Sequence, residues 1–209
     1  IKINPEIELN TEMVKKIIDD HKQNEFPRLL KLEEYYNAKN EILRRIMVDE
    51  TKPNNKIANP YASYITDTLT GYFMGEPISY SALDDSVLEE LNLIFEYNDE
   101  ADENVELARA CSIYGKAFEL LYVDEEGAVR FKRLDSKECI PIFDDTVENE
   151  LLYVIRYYPD KDIVENKTFM WVEIIDKEKT ARYKGNENGG NLTLIEEIPH
   201  YFGMCPVAI

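Results

Sequence analysis

The chain has 209 residues, enough for one sizeable domain or two small ones. Its 42 Asp and Glu against 24 Lys and Arg give a formal charge of −18, which argues against holding nucleic acid by general attraction to phosphate. An apolar content of 44% fits a globular protein, and no stretch approaches the ~20 apolar residues of a membrane span. Fourteen Tyr against one Trp suits half-buried surfaces, interfaces or β-strands. Cys111, Cys139 and Cys205 stand far apart without metal-ligand spacing, so they are expected as free, buried thiols of a reducing compartment. The opening IKINPEIELN lacks a signal-peptide pattern, which points to a chain made and kept in a cytoplasm.

In chain order, residues 1–10 read as an extended arm with a turn at Asn4-Pro5. A helix begins at Thr11, with Val14, Ile17, Ile18 and His21 on one face. Phe26-Pro27 interrupts it, because the residue before a proline is pushed out of helical geometry. A second helix follows from Pro27 with Leu29, Leu30, Leu32, Tyr35 and Tyr36 as contacts, and residues 40–47 add a further turn or two. Lys31, Lys39, Arg44, Arg45, Lys52 and Lys56 make this the more basic part of the chain. It reads either as a solvated helix face or as a patch for DNA or an acidic partner. Residues 49–55 form a loop, with a turn at Asn54-Asn55.

The rest of the chain is organised around the stretch 54–80, NNKIANPYASYITDTLTGYFMGEPISY. Asn59 suits an N-cap and Pro60 the first helical position. Ile57, Tyr61, Tyr64, Ile65, Leu69, Tyr72 and Phe73 recur at the period of one helical face. Gly75 fits a left-handed position after the helix, and Pro77 stops it. Thr66, Thr68 and Thr70 interleave with the tyrosines, although buried Tyr and Thr both need hydrogen-bond partners. Two readings stand: a core helix with polar tips, or a helix that meets several elements, neighbouring subunits among them.

Residues 78–80 read as a short strand or extended link. Asp84 or Asp85 then caps a helix whose face is Val87, Leu88, Leu91, Ile94 and Phe95. Residues 84–106 hold ten acids and no Lys or Arg, but lack the alternation and glycine of a calcium loop. The next helix, 102–114, turns Val105, Leu107, Ala108 and Cys111 inward and ends at Gly115. The period then becomes extended. Segments 117–123 and 128–134 form a hairpin with Gly127 in its turn. Strands come next at 139–143, where Pro141 suggests an edge, and at 151–158, 169–175, 180–184 and 192–196, with a flexible loop at 185–191. The fold class is therefore α+β: a mostly helical part, 1–115, followed by a mainly antiparallel β part, 116–209. The abrupt apolar run 207–209 suggests a piece of a longer protein.

No phosphate loop, dinucleotide fingerprint, GxSxG elbow or HExxH occurs, and nothing activates Cys205 beside His200. No catalytic residue, cofactor or metal ligand is singled out. Carboxylates are abundant, so a metal-dependent hydrolase with a carboxylate site remains as one alternative. An acidic adaptor binding basic partners is another.

The 54–80 segment resembles the wing-region signature of tailed-phage portal proteins of the SPP1 type. Two more blocks resemble that family in the same order. LARACSIYGKAFELLYV at 107–123 has a Tyr114-Gly115-Lys116 corner between helix and strand, and Phe202-Gly203-Met204-Cys205-Pro206-Val207 is the third block. The resemblance covers roughly residues 11–207. It implies a closed, dodecamer-like ring at the capsid vertex, through which double-stranded DNA is packaged and ejected without sequence-specific binding. It also implies contacts with capsid and scaffold proteins, terminase and a head–tail adaptor, no membrane, and assembly in the host cytoplasm into the virion. The chain would be the wing-side part, stopping before stem, clip and crown. The residues expected to organise it or to face a neighbouring subunit are Asn59, Pro60, Tyr61, Tyr64, Thr68, Gly71, Tyr72, Gly75, Pro77, Tyr114 and Gly115.

Overall fold

A computed structural model of the chain describes residues 1–48, 51, 53–163, 166–186 and 189–209. Asp49, Glu50 and Lys52 of the expected loop and basic segment lie outside the described residues, as do Glu187 and Asn188 of the expected 185–191 loop. The elements run β1 (Lys2–Ile3), α1 (Thr11–Asn24), α2 (Phe26–Tyr36), a 3₁₀ turn (Glu41–Arg44), α3 (Tyr61–Phe73), α4 (Asp85–Tyr97) and α5 (Glu100–Tyr114). Then come β2 (Phe118–Val123), β3 (Val129–Leu134), β4 (Cys139–Asp144), β5 (Leu151–Asp162), β6 (Lys167–Ile175), β7 (Lys179–Asn186), β8 (Thr193–Pro199) and β9 (Val207–Ala208). Helices precede a mainly antiparallel β region, so the α+β class holds; the β1–β4 pairing is parallel. Residues 78–80 are not a strand: Tyr80 instead stacks on Phe95 and its hydroxyl donates to Glu100.

Two compact units divide the chain, residues 1–26 with 118–209, and residues 27–117. In the first, six strands lie in the order β1-β4-β5-β6-β7-β8, and three more in the order β3-β2-β9. Successive side chains of a strand point to opposite faces, so the long strands feed two cores. Ile155, Tyr157, Val172 and Ile174 pack with Val14 and Ile18 of α1. Their neighbours Val154 and Ile175 pack with Phe118, Leu134, Cys139 and Val207, which joins the small sheet to the other face. The predicted face of α1 is therefore the one that packs, and its helix starts behind an Asn10 cap that accepts from the Met13 amide at 2.9 Å. α1 sits on the sheet, although in sequence it belongs to the helical half.

Pro141 suggests an edge strand, but β4 lies second in its sheet. The two-residue β1 pairs only with Phe143 and Asp144, so the missing N–H of Pro141 falls beyond that ladder. The 118–134 hairpin turns as its glycine demands, with Gly127 at φ 83°. The apolar end at Val207 is buried, and β9 pairs with β2.

In the second unit, α5 is the central helix. Ala110 and Tyr114 pack with Leu29 of α2 and with Ala117. Leu107 packs against this core as expected, whereas Val105 and Ala108 are only half-buried and Cys111 is exposed, which corrects the inward face expected for α5. Cys139 and Cys205 are buried as expected.

Candidate subunit interface

α3 is held to its unit by its small and polar side. Thr66 and Thr70 are buried, and Ser112 of α5 donates to the Thr66 hydroxyl at 3.3 Å. Asp67 accepts from the Tyr36 hydroxyl at 3.0 Å and lies 3.5 Å from the Arg109 guanidinium, tying α3 to α2 and α5. Burial together with the hydrogen bond to Asp67 raises the Tyr36 phenol above its ordinary range. Short side chains at positions 62, 66 and 70, spaced by four, let α5 approach closely.

The aromatic and aliphatic side faces outward. Tyr61, Tyr64, Ile65, Leu69, Tyr72 and Phe73 are all exposed, Tyr64 at 70% and Tyr72 at 91% of their full surface. The face read from periodicity is thus a real face, but it is not the one that packs within the chain. Sequence reasoning missed Thr66 and Thr70 as the inward residues, and the four-residue spacing of small side chains was the signal for them. It also left Ile65, Leu69 and Phe73 out of the expected contact set, although they continue the same stripe.

The other expected residues separate into ends and supports. Asn59 is not the N-cap: the helix starts one residue later and Pro60 is the half-in residue, at φ −82° and ψ 46°. The Pro60 carbonyl accepts from the Tyr64 amide and the Ser63 hydroxyl, both at 3.0 Å. Gly75 is not left-handed. It is needed for space, since a Cβ there would stand 2.5 Å from the Gly71 carbonyl oxygen, whereas one on Gly71 itself meets nothing. Thr68 is exposed and its hydroxyl donates to the Tyr64 carbonyl of its own helix at 2.7 Å. Pro77 is exposed beyond the helix end. Tyr114 is buried away from the α3 stripe, with its hydroxyl donating to Glu33 at 3.1 Å. Gly115 closes α5 in the left-handed conformation, at φ 82°, with its amide on the Cys111 carbonyl at 2.8 Å.

Among the described residues there is no group of three or more His, Cys, Asp or Glu placed to hold a metal ion. A groove of 770 Å³ at the end of β5, β6 and β7 is lined by Lys161, Lys167, Phe169 and Lys184 with Asp162, and among the described residues that line it there is no His, Cys or second carboxylate. No described helix is long and apolar enough to cross a membrane. The outstanding feature of the helical unit is therefore an apolar face that no described residue covers.

A family model described as phage portal protein, SPP1 Gp6-like, matches residues 15–209. The chain belongs to the SPP1-type phage portal protein family. It is 30% identical over 172 residues to the portal protein of Bacillus phage SPP1, covering 77% of this chain and 33% of that protein. It is 23% identical over 175 residues to the portal protein of Clostridium phage phiCD119, covering 75% of this chain and 39% of that one. The chain thus spans about a third of the length of the portal relatives it matches. All three resembling blocks fall within the matched residues, with the exposed stripe of α3 in the first and the buried Tyr114 beside the exposed Gly115 in the second.

Proposed function

We propose that the complete protein assembles as the portal ring of a tailed phage and that both compact units belong to its wing. The ring serves as the conduit for double-stranded DNA packaging and ejection and as the head–tail connection. The observation that carries this reading, beside family membership, is the uncovered stripe of α3. Burying a large apolar side chain is worth roughly 1.5–3 kcal/mol, so six of them hold on the order of 10 kcal/mol before the costs of association. A neighbouring identical subunit in a head-to-tail ring is the cover that a closed assembly supplies. Tyrosine suits such a place, because it gives contact area with a polar tip that tolerates water in the free subunit.

The role is structural. A charge of −18 keeps the general surface from adhering to phosphates, so DNA can slide past it. Capsid and scaffold proteins, terminase and a head–tail adaptor are the partners of such a ring, and the virion vertex is its location. Tyr64→Asp with Tyr72→Asp in the complete protein tests the interface. The expected product is a folded subunit that no longer closes rings. Rings formed as readily as those of the parent would show that another segment covers α3.

A further inference from the structure

Gly71 breaks a local rule for which the chain itself holds no reason. It stands inside α3, where glycine is the least favourable residue after proline. Its φ is not positive, so the backbone does not require it. A Cβ there would meet nothing within 4 Å among the described residues, so no close neighbour requires it either. Gly75 differs, because the Gly71 carbonyl leaves its Cβ no room. Gly71 is exposed, two turns beyond Tyr64 on the same line of the helix, at the margin of the apolar stripe. The remaining use of a glycine inside a helix is the close approach of another backbone, here from outside the chain.

We propose that the backbone of a neighbouring copy of the chain crosses α3 at Gly71, closer than a Cβ would permit. The inference rests on the portal-ring reading. It goes beyond that reading by naming the point of closest approach and the residue that allows it. Two features of α3 favour a second copy as the occupant. The first is area. Tyr61, Tyr64, Tyr72 and Phe73 are between 68% and 91% exposed. Together they leave on the order of 600 Å² open, most of the ~800 Å² that one partner gives to a standard specific interface. The second is charge. The one charged residue of α3 is Asp67, which is engaged by Tyr36 and Arg109. Copies of a chain at −18 repel one another where their carboxylates meet, so a stripe without charge is where they can dock. A basic partner would be drawn instead to acids, which the stripe lacks. The core of an interface packs as densely as a protein interior, so one added methyl at the closest point is felt.

The test is a size series at this one position in the complete protein, Gly71→Ala and Gly71→Leu, read by native mass at equal concentration. Alanine and leucine are better helix formers than glycine and the position is open, so neither change should harm the subunit. The expected ring fraction is several-fold lower for Gly71→Ala and roughly tenfold or more lower for Gly71→Leu. With Tyr64→Asp and Tyr72→Asp also present, so that the subunit stays free, Gly71→Ala should raise its melting temperature. Rings of both variants as abundant as those of the parent would overturn the crossing at Gly71 while leaving the ring and the α3 contact intact. A free subunit that melts lower with Gly71→Ala would overturn it as well, because the glycine would then serve the fold. If the parent itself forms no ring, the ring reading fails first and the crossing falls with it.

Discussion

Gly71 and Gly75 show how two glycines four apart serve different ends. Gly71 sits inside α3 with open space where a Cβ would be, so Gly71→Ala should stabilise the isolated chain by about 0.5–1 kcal/mol through helix propensity. Gly75→Ala forces a Cβ against the Gly71 carbonyl and should cost about 1–3 kcal/mol as the helix end shifts. Thermal unfolding of the two variants should bracket the parent; a stabilised Gly75→Ala would contradict the close approach. Cys205 gives a pH dependence. Burial pushes its thiol up to about 12, against about 8.5 in an unfolded chain. Above pH 8.5 the unfolded state loses this proton while the folded state keeps it, so stability falls as pH rises. By pH 10 the parent should lose about 2 kcal/mol that Cys205→Ala does not lose. Denaturant unfolding of both at pH 8 and pH 10 reads the narrowing gap; a constant gap would contradict it.

Among the elements, burial separates side chains of similar chemistry. Phe118 is fully buried where the small sheet meets the large one, so Phe118→Ala should cost about 3–5 kcal/mol. Phe73, exposed at the end of α3, should lose less than about 0.5 kcal/mol on the same change in the isolated chain. Equal losses would mean that the α3 stripe is covered within the chain. Most elements were legible: the α1 start at Thr11, the α4 start from a polar cap at Asp84, the α5 stop from Gly115, and the sheet from its extended period and the turn at Gly127. The packing side of α3 was not. Periodicity identifies an apolar stripe but not its partner, and in α3 the buried Thr66 and Thr70, with polar contacts from Ser112, Tyr36 and Arg109, mark the side that packs. The β1 and β9 strands were also hidden, since two residues each are too short to carry a pattern. The placement of α1 on the sheet is a long-range contact that no local signal reports.

At the scale of the whole molecule, a strongly acidic chain with well-filled cores in its sheet unit leaves an exposed apolar face on α3 of its helical unit. Monomeric proteins seldom leave such surfaces open to water. The proposed ring would cover the exposed face of α3 with a neighbouring copy of the chain. The most direct test is the native mass of the complete protein across a range of concentrations, with images of the particles. The account predicts one large closed ring of identical subunits that persists on dilution. A monomer at high concentration would contradict it.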